Sequence, residues 1–252
     1  MERDRPIGVF DSGVGGLSIL RALRAELPGE DFVYFSDAGH APYGEKGEDF
    51  VSDRSLAIAV DLLEAHRIKA LVVACNTATA AAVHLLRAQH THLPVVGVEP
   101  ALKPAAALTK TGRVGVLATR GTLSSAKFQT LRASLAGQAE FVLVPCDGLA
   151  AAIEADDRAQ VEALCRAYTR FDGDVDTVVL GCTHYPFATE VFVDLLGPEI
   201  ELVETGEPVA RQTGRLLETQ DLLRPEGGGH VQWRTTGDEQ ALRSAAARWL
   251  GL

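Results

Sequence analysis

Short apolar runs alternate with longer stretches of helical periodicity along the whole chain. Residues 7–10, 32–35, 70–74 and 95–98 read as strands, each four or five residues of nearly unbroken apolar character. Between them, residues 17–27 and 51–66 space their apolar side chains as amphipathic helices do. The cycle resumes with strand-like runs at 114–118, 141–144, 177–180 and 200–203. Strand–helix alternation of this kind predicts an α/β fold with largely parallel sheets. Near the C-terminus, Gly227-Gly228-Gly229 breaks the pattern. Residues 230–235 then read as an edge strand and 238–250 as a last helix, with Asp238 near its cap.

The two cycles repeat each other in register. Ile7-Gly8-Val9-Phe10 aligns with Val114-Gly115-Val116-Leu117, 107 positions later, and Ala74-Cys75-Asn76-Thr77 aligns with Gly181-Cys182-Thr183-His184 at the same offset. Asp31-Phe32-Val33 matches Glu140-Phe141-Val142 at 109, and Val98-Glu99 matches Val203-Glu204 at 105. One offset joining a strand start to a cysteine points to an internal duplication. Each half closes on an acidic residue and a proline-containing segment, Glu99-Pro100-Ala101-Leu102-Lys103-Pro104 and Glu204-Thr205-Gly206-Glu207-Pro208. Proline disfavours helix at the residue before it, so both segments read as crossovers. The expected layout is two pseudo-symmetric α/β lobes, 1–98 plus 208–252 and 99–207, with the active site in the cleft between them.

Composition narrows the classes. The 252 residues suffice for two domains of roughly 100–150 residues each. An apolar share of 46% with 23% charged is that of a globular protein. The net charge of −10 argues against a nucleic-acid partner, which would call for a basic surface. Met1-Glu2-Arg3-Asp4-Arg5-Pro6 is unlike a signal peptide, and no apolar run reaches the ~18 residues of a membrane span. A cytoplasmic protein with no membrane partner is expected.

The four cysteines are Cys75, Cys146, Cys165 and Cys182, none in a C-x-x-C pair. Zinc-ribbon and thioredoxin readings therefore lack their spacing, and a disulfide framework is unexpected in a reducing compartment. A single buried cysteine is ordinarily a small hydrophobe, the reading given to the unmatched Cys146 and Cys165. Cys75 and Cys182 differ because they occupy matching places in the duplicated halves. Each follows an apolar strand and precedes a helix-compatible run, 77–87 after the first and 187–196 after the second. Ligands of open α/β sheets bind at such turns, and a helix N-terminus there lowers a thiol's pKa.

Two facing thiols can invert a stereocentre. One thiolate takes a proton from one face of a carbon, and the other thiol returns one to the opposite face. No metal or organic cofactor is required in principle, but fixed N–H donors must stabilise the carbanion-like transition state. Asp11-Ser12-Gly13-Val14-Gly15-Gly16 follows the first strand and offers backbone N–H groups to a carboxylate. It is not a dinucleotide fingerprint, since Ser18 stands where the last glycine belongs, and it lacks the Gly-Lys of a P-loop. His184, two residues after Cys182, is placed to assist proton transfer. His66, His84, His90 and His92 lie in helical or loop patterns and are read as surface or structural.

The segments Asp11-Ser12-Gly13-Val14-Gly15-Gly16, Pro42-Tyr43-Gly44, Cys75-Asn76-Thr77, Gly181-Cys182-Thr183-His184-Tyr185-Pro186 and Thr235-Thr236-Gly237-Asp238 resemble those of the glutamate racemases, within the aspartate/glutamate racemase superfamily. The resemblance spans nearly the whole chain. It implies cofactor-independent interconversion of L- and D-glutamate, the latter for peptidoglycan. It also implies Cys75 and Cys182 as the two acid/base groups, with Asp11 and His184 assisting. Ser12, Tyr43, Gly44, Asn76, Thr77 and Thr183 would hold the substrate's carboxylates and amine, with Asp11, His184 and Thr119 contributing. Glu154 falls where the family has an acidic residue near the cleft, although the family's Cys-Pro start to that segment reads Cys146-Asp147-Gly148 here. A homodimer is implied too.

Four other readings compete. An aspartate racemase of the same superfamily would also place a thiol in each lobe, with substrate length set by pocket shape. A cysteine phosphatase would need an arginine closing a phosphate loop, where Ala81 and Ala188 stand instead. A cysteine hydrolase would need a histidine remote in sequence, and His184 is local to Cys182. A non-catalytic amino-acid binding protein would leave the matched cysteines without a purpose.

Overall fold

The computed structural model describes residues 2–224 and 226–252. Its first half runs β1 (Ile7–Asp11), α1 (Leu17–Glu26), β2 (Phe32–Ser36), α2 (Glu48–His66), β3 (Ala70–Val73), α3 (Asn76–Gln89) and β4 (Val95–Gly97). The second runs α4 (Leu102–Leu108), β5 (Arg113–Ala118), α5 (Arg120–Ser124), α6 (Ala126–Ala133), β6 (Glu140–Pro145), α7 (Leu149–Glu154), α8 (Arg158–Tyr168), β7 (Thr177–Leu180), α9 (Thr189–Leu196) and β8 (Glu201–Val203). The chain closes with α10 (Gly206–Thr219), β9 (Val231–Thr235) and α11 (Glu239–Leu250), whose N-cap Asp238 accepts a bond from the Ala241 N–H at 2.7 Å. No described helix is long and apolar enough to cross a membrane.

The fold is α/β, with two sheets whose described pairings are all parallel. One unit holds the chain up to Val98 together with Gly206–Leu252, and the other holds Glu99–Thr205. The first sheet has the order β4-β3-β1-β2-β9 and the second β6-β5-β7-β8. Read from β8, the second sheet repeats the first without its edge strand β9. The register repeats as well. Ile7 lies beside Ala70, 63 residues on, and Val114 lies beside Thr177, again 63 residues on.

Proline behaves differently from the expectation at both crossovers. Pro104 and Pro208 each stand third in a helix, α4 and α10, and the residues before them are helical. In a first turn the missing N–H removes no intrahelical bond, so the helix tolerates the ring. The chain accordingly enters α10 at Gly206, two residues before the expected boundary at 208.

In the first unit, Phe10, Val33, Phe35, Leu71 and Val73 point to one face of the sheet and pack with Ile58, Leu62, Ala82 and Val83 of α2 and α3. Helices α1 and α10 pack together, so the returning chain completes the unit's second helical layer. In the second unit, Val114, Val116 and Val179 pack with α4 and α6, while Leu117, Val178 and Leu180 pack with α7, α8 and α9.

The N-terminal edge of the first sheet is tied by a buried ion pair. The Lys69 ammonium lies 2.5 Å from the Glu30 carboxylate, and both side chains are almost fully enclosed. Lys69 also donates to the carbonyls of Arg3 (2.6 Å) and Leu222 (2.9 Å), while Glu30 accepts from the Arg224 N–H. The first turn, the starts of β2 and β3 and the segment after α10 thus meet on one pair. Replacing Lys69 by Met leaves the Glu30 charge buried and unpaired, a loss of about 3–5 kcal/mol. Urea denaturation checks this, and an unchanged midpoint would show that the pair carries no such load.

Candidate active site

Parallel pairing sends the C-terminal ends of β1, β2, β3 and β9 to one edge of the first sheet, and the expected site residues of this unit follow those ends. Asp11 closes β1 and is fully buried. Its Oδ2 accepts the N–H groups of Gly13 (3.1 Å) and Gly16 (2.9 Å), folding the glycine loop over the carboxylate. A Cβ on Gly16 would lie 2.6 Å from that of Asp11, so only glycine lets α1 start so close. The Tyr34 hydroxyl donates to the Gly13 carbonyl at 2.8 Å and steadies the same loop.

Cys75 is the N-cap of α3. Its Sγ accepts from the Ala78 N–H at 3.5 Å and lies 3.6 Å from the Ser12 hydroxyl. Asn76 and Thr77 open that helix, Asn76 buried and Thr77 half-buried. The Asn76 side-chain amide has no hydrogen-bond partner among the described residues. Tyr43 and Gly44 lie in a 3₁₀ turn, Tyr43–Glu45, with the Tyr43 ring buried in the same apolar cluster as Cys75.

The second unit assembles its own group at the equivalent edge. Cys182 and Thr183 follow β7 and are buried. A Cβ on Gly181 would sit 2.8 Å from the Leu117 carbonyl, so glycine lets the chain leave β7 against β5. Thr119 caps α5 at the end of β5 and accepts from the Thr122 N–H at 3.2 Å. Cys182 is not a helix N-cap. Thr183 and His184 intervene before a 3₁₀ turn, Tyr185–Ala188, and α9 begins only at Thr189.

A charged neighbour stands where the helix end was expected. His184 Nδ1 lies 3.8 Å from Cys182 Sγ, and His184 Nε2 lies 2.6 Å from Glu154 Oε2 at the end of α7. Burial alone would lower the His184 pKa. Its bonds to Cys182 and Glu154 outweigh that and raise it well above the ordinary value of 6.5. The imidazolium can then donate to the sulfur on one side and to the carboxylate on the other. Cys146 and Cys165 are buried, and desolvation pushes both thiols up, Cys165 to about 12. Neither is a thiolate at neutral pH.

Asp11, Ser12, Tyr43, Gly44, Cys75, Asn76 and Thr77 therefore belong to one group, and Thr119, Glu154, Cys182, Thr183 and His184 to another. Sequence reasoning passed over Asp37, Arg54 and Tyr34. Asp37 alone carried a signal, since it directly follows β2, as Cys146 directly follows β6 in the second cycle.

Replacing Glu154 by Gln removes the negative partner of His184, so its imidazolium should lose the proton at lower pH than in the wild type. The folded-state value of His184 lies above the unfolded one. The contribution to stability is therefore complete below about pH 6.5 and declines as pH rises through the folded value. Histidine-labelled NMR titration reads the change, and identical titrations would remove Glu154 from this role.

The Asp/Glu/Hydantoin racemase family matches residues 12–211. A glutamate racemase of Methylococcus capsulatus is 46% identical over 99% of this chain and 93% of its own length. Among solved structures, a glutamate racemase isoform from Bacillus anthracis superposes with a TM-score of 0.88 at 31% identity, covering 99% of this chain and 95% of that one. The Escherichia coli glutamate racemase in complex with L-glutamate and the activator UDP-MurNAc-ala gives 0.86 at 34% identity, covering 97% and 95%. With parallel α/β sheets, a thiol past the matching strand of each and relatives along its whole length, this chain is an enzyme of the Asp/Glu/Hydantoin racemase family.

Proposed function

We propose that this chain interconverts L- and D-glutamate without a cofactor, by proton transfer at Cα between Cys75 and Cys182. The observation that carries the reading is the equivalence of the two cysteines. Each lies two residues past the matching strand, β3 or β7, in sheets that repeat strand order and register. Each also has a polar partner, the Ser12 hydroxyl, whose oxygen accepts from the Cys75 thiol, and the His184 ring beside Cys182. Glutamate as the substrate is supported by the relatives, which are glutamate racemases.

The chemistry needs one thiol on each face of Cα. A thiolate takes the Cα proton, the C–H electron pair stays on carbon and spreads into the carboxylate, and the second thiol protonates the opposite face. The configuration inverts, and the two sulfurs exchange protonation states. His184 restores Cys182, and Asp11 assists Cys75. With the Gly13 and Gly16 N–H groups held by Asp11, the other N–H groups of the loop from Asp11 to Gly16 are the donors for the carboxylate on which charge develops. Ser12, Tyr43, Gly44, Asn76, Thr77, Thr119 and Thr183 hold the remaining polar groups, and the unpartnered, buried Asn76 amide supports a ligand there. On this reading the protein works in the cytoplasm as a homodimer, and its D-glutamate serves peptidoglycan synthesis.

Incubation with L-glutamate in D2O, without added cofactor, tests the mechanism. Loss of optical rotation with deuterium uptake at Cα is expected for the wild type, and Cys75→Ser or Cys182→Ser should lose racemisation by at least about a hundredfold. Racemisation of aspartate instead of glutamate would overturn the substrate. Binding without Cα exchange would overturn the catalytic reading.

A further inference from the structure

The segment Thr235-Thr236-Gly237-Asp238 has no part in the chemistry above, yet Thr236 meets the turn that carries Tyr43 and Gly44 at a single carboxylate. Asp37, the residue after β2, is fully buried. Its Oδ2 accepts the Tyr43 hydroxyl at 2.5 Å and Arg54 Nε at 2.9 Å. Its Oδ1 accepts Arg54 Nη2 at 2.7 Å and the Thr236 hydroxyl at 2.8 Å, and lies 3.0 Å from His40 Nδ1. The Asp37 N–H donates to the Asp11 carbonyl at 2.9 Å, which ties this carboxylate to the strand end that begins the glycine loop.

Four pieces of chain thus converge on Asp37: the end of β2, the 3₁₀ turns between residues 38 and 45, helix α2 through Arg54, and the end of β9 through Thr236. The fit at Thr236 is close. The Gly39 N–H donates to its hydroxyl oxygen at 3.1 Å, and a Cβ on Gly39 would lie 2.7 Å from its carbonyl oxygen. Burial would raise the Asp37 carboxyl, but the bonds from Arg54, Tyr43 and Thr236 outweigh it and hold it below its ordinary value. Burial and Asp37 together keep the Tyr43 phenol protonated, so its one proton is committed to the carboxylate. The Tyr43 ring cannot turn, and the Tyr43–Gly44 backbone cannot shift, without breaking a charge-assisted bond in a buried site.

We infer that Asp37, braced by Arg54 and by Thr236 of the C-terminal return, is a positioning residue that fixes the Tyr43–Gly44 turn for the substrate. This rests on the racemase reading above. It gives the end of the last strand a task in positioning the substrate, which Thr236 performs at one remove, through Asp37 and through the Gly39 N–H.

The test compares Thr236→Val, Asp37→Asn, Tyr43→Phe and the Asp37→Asn/Tyr43→Phe double variant with the wild type. It measures KM, kcat and calorimetric affinity for glutamate, with thermal melting as the check on folding. Thr236→Val removes the donor to Asp37 and the acceptor of the Gly39 N–H but little volume, so it keeps the test open if Asp37→Asn folds poorly. Thr236→Val and Asp37→Asn should each raise KM about three- to tenfold, the range one lost hydrogen bond gives. Turnover should stay within about twofold, the mark of lost binding rather than lost chemistry. The double variant should fall short of the product of the single effects, because Asp37 works through Tyr43. Unchanged KM and affinity in both Thr236→Val and Asp37→Asn, multiplicative effects in the double variant, or a fall in kcat at constant KM would each overturn the inference. A wild type that leaves glutamate untouched overturns the earlier reading instead. The positioning claim is then judged by the same ratios for the amino acid that the wild type does turn over.

Discussion

Parallel strand pairing is the constraint on which everything else rests. A parallel sheet connected through helices sends every strand's C-terminal end to the same edge, and the following helices begin there. Residues distant in sequence, such as Asp11, Asp37, Cys75 and Thr236, reach one edge because each follows a strand of the same sheet. Thr119, Cys146 and Cys182 do the same in the second sheet. Each group is therefore gathered by the topology of its own sheet, and the side-chain contacts choose among positions that sheet has already grouped.

Duplication supplies two scaffolds, and local sequence then makes them chemically unequal. Cys75 sits on a helix N-terminus, with a backbone N–H and a serine hydroxyl near its sulfur. Cys182 has lost the adjacent helix start to Pro186 and the 3₁₀ turn, and it has a histidine held by a carboxylate instead. The first arrangement offers fixed partial charge, one backbone donor to the sulfur and a hydroxyl that accepts from the thiol. The second offers a full positive charge and a transferable proton. A reaction that must run in both directions needs a base and an acid that can exchange roles, and it does not require them to be built alike.

Strand positions were legible in the sequence because buried parallel strands are nearly continuous apolar runs, and eight such runs coincide with β1 to β8 to within a residue or two at each end, while the alternating 230–235 segment reads as the edge strand β9. The cysteine pair was legible because duplication gave it a matched partner. The helices α4 and α10 were not. Pro104 and Pro208 look like breakers until their place in a first turn is known, and that place depends on where the chain leaves the sheet. Asp37 was hidden for another reason. An aspartate directly after a strand is a weak signal, and its five side-chain contacts come from four residues, at positions 40, 43, 54 and 236. Only the pairing of β9 with β2 brings position 236 to it.

That pairing bears on why the chain returns to the first unit at all. The second sheet is complete with four strands, so a fifth is no requirement of the repeated layout. The returning segment adds α10 against α1, reaches the Lys69–Glu30 pair through the Leu222 carbonyl and the Arg224 N–H, and then runs along β2 as β9. It is thus anchored at the N-terminal edge of the sheet by a buried ion pair and at the C-terminal edge by the Asp37 carboxylate. The returning segment is thus held at both edges of the sheet and hydrogen-bonded to β2 along β9, which restrains Thr236 just beyond the strand. On the proposed function, the Tyr43–Gly44 turn that Asp37 braces calls for such restraint. Stability at one edge of the sheet and geometry at the other are consequences of the same returning segment.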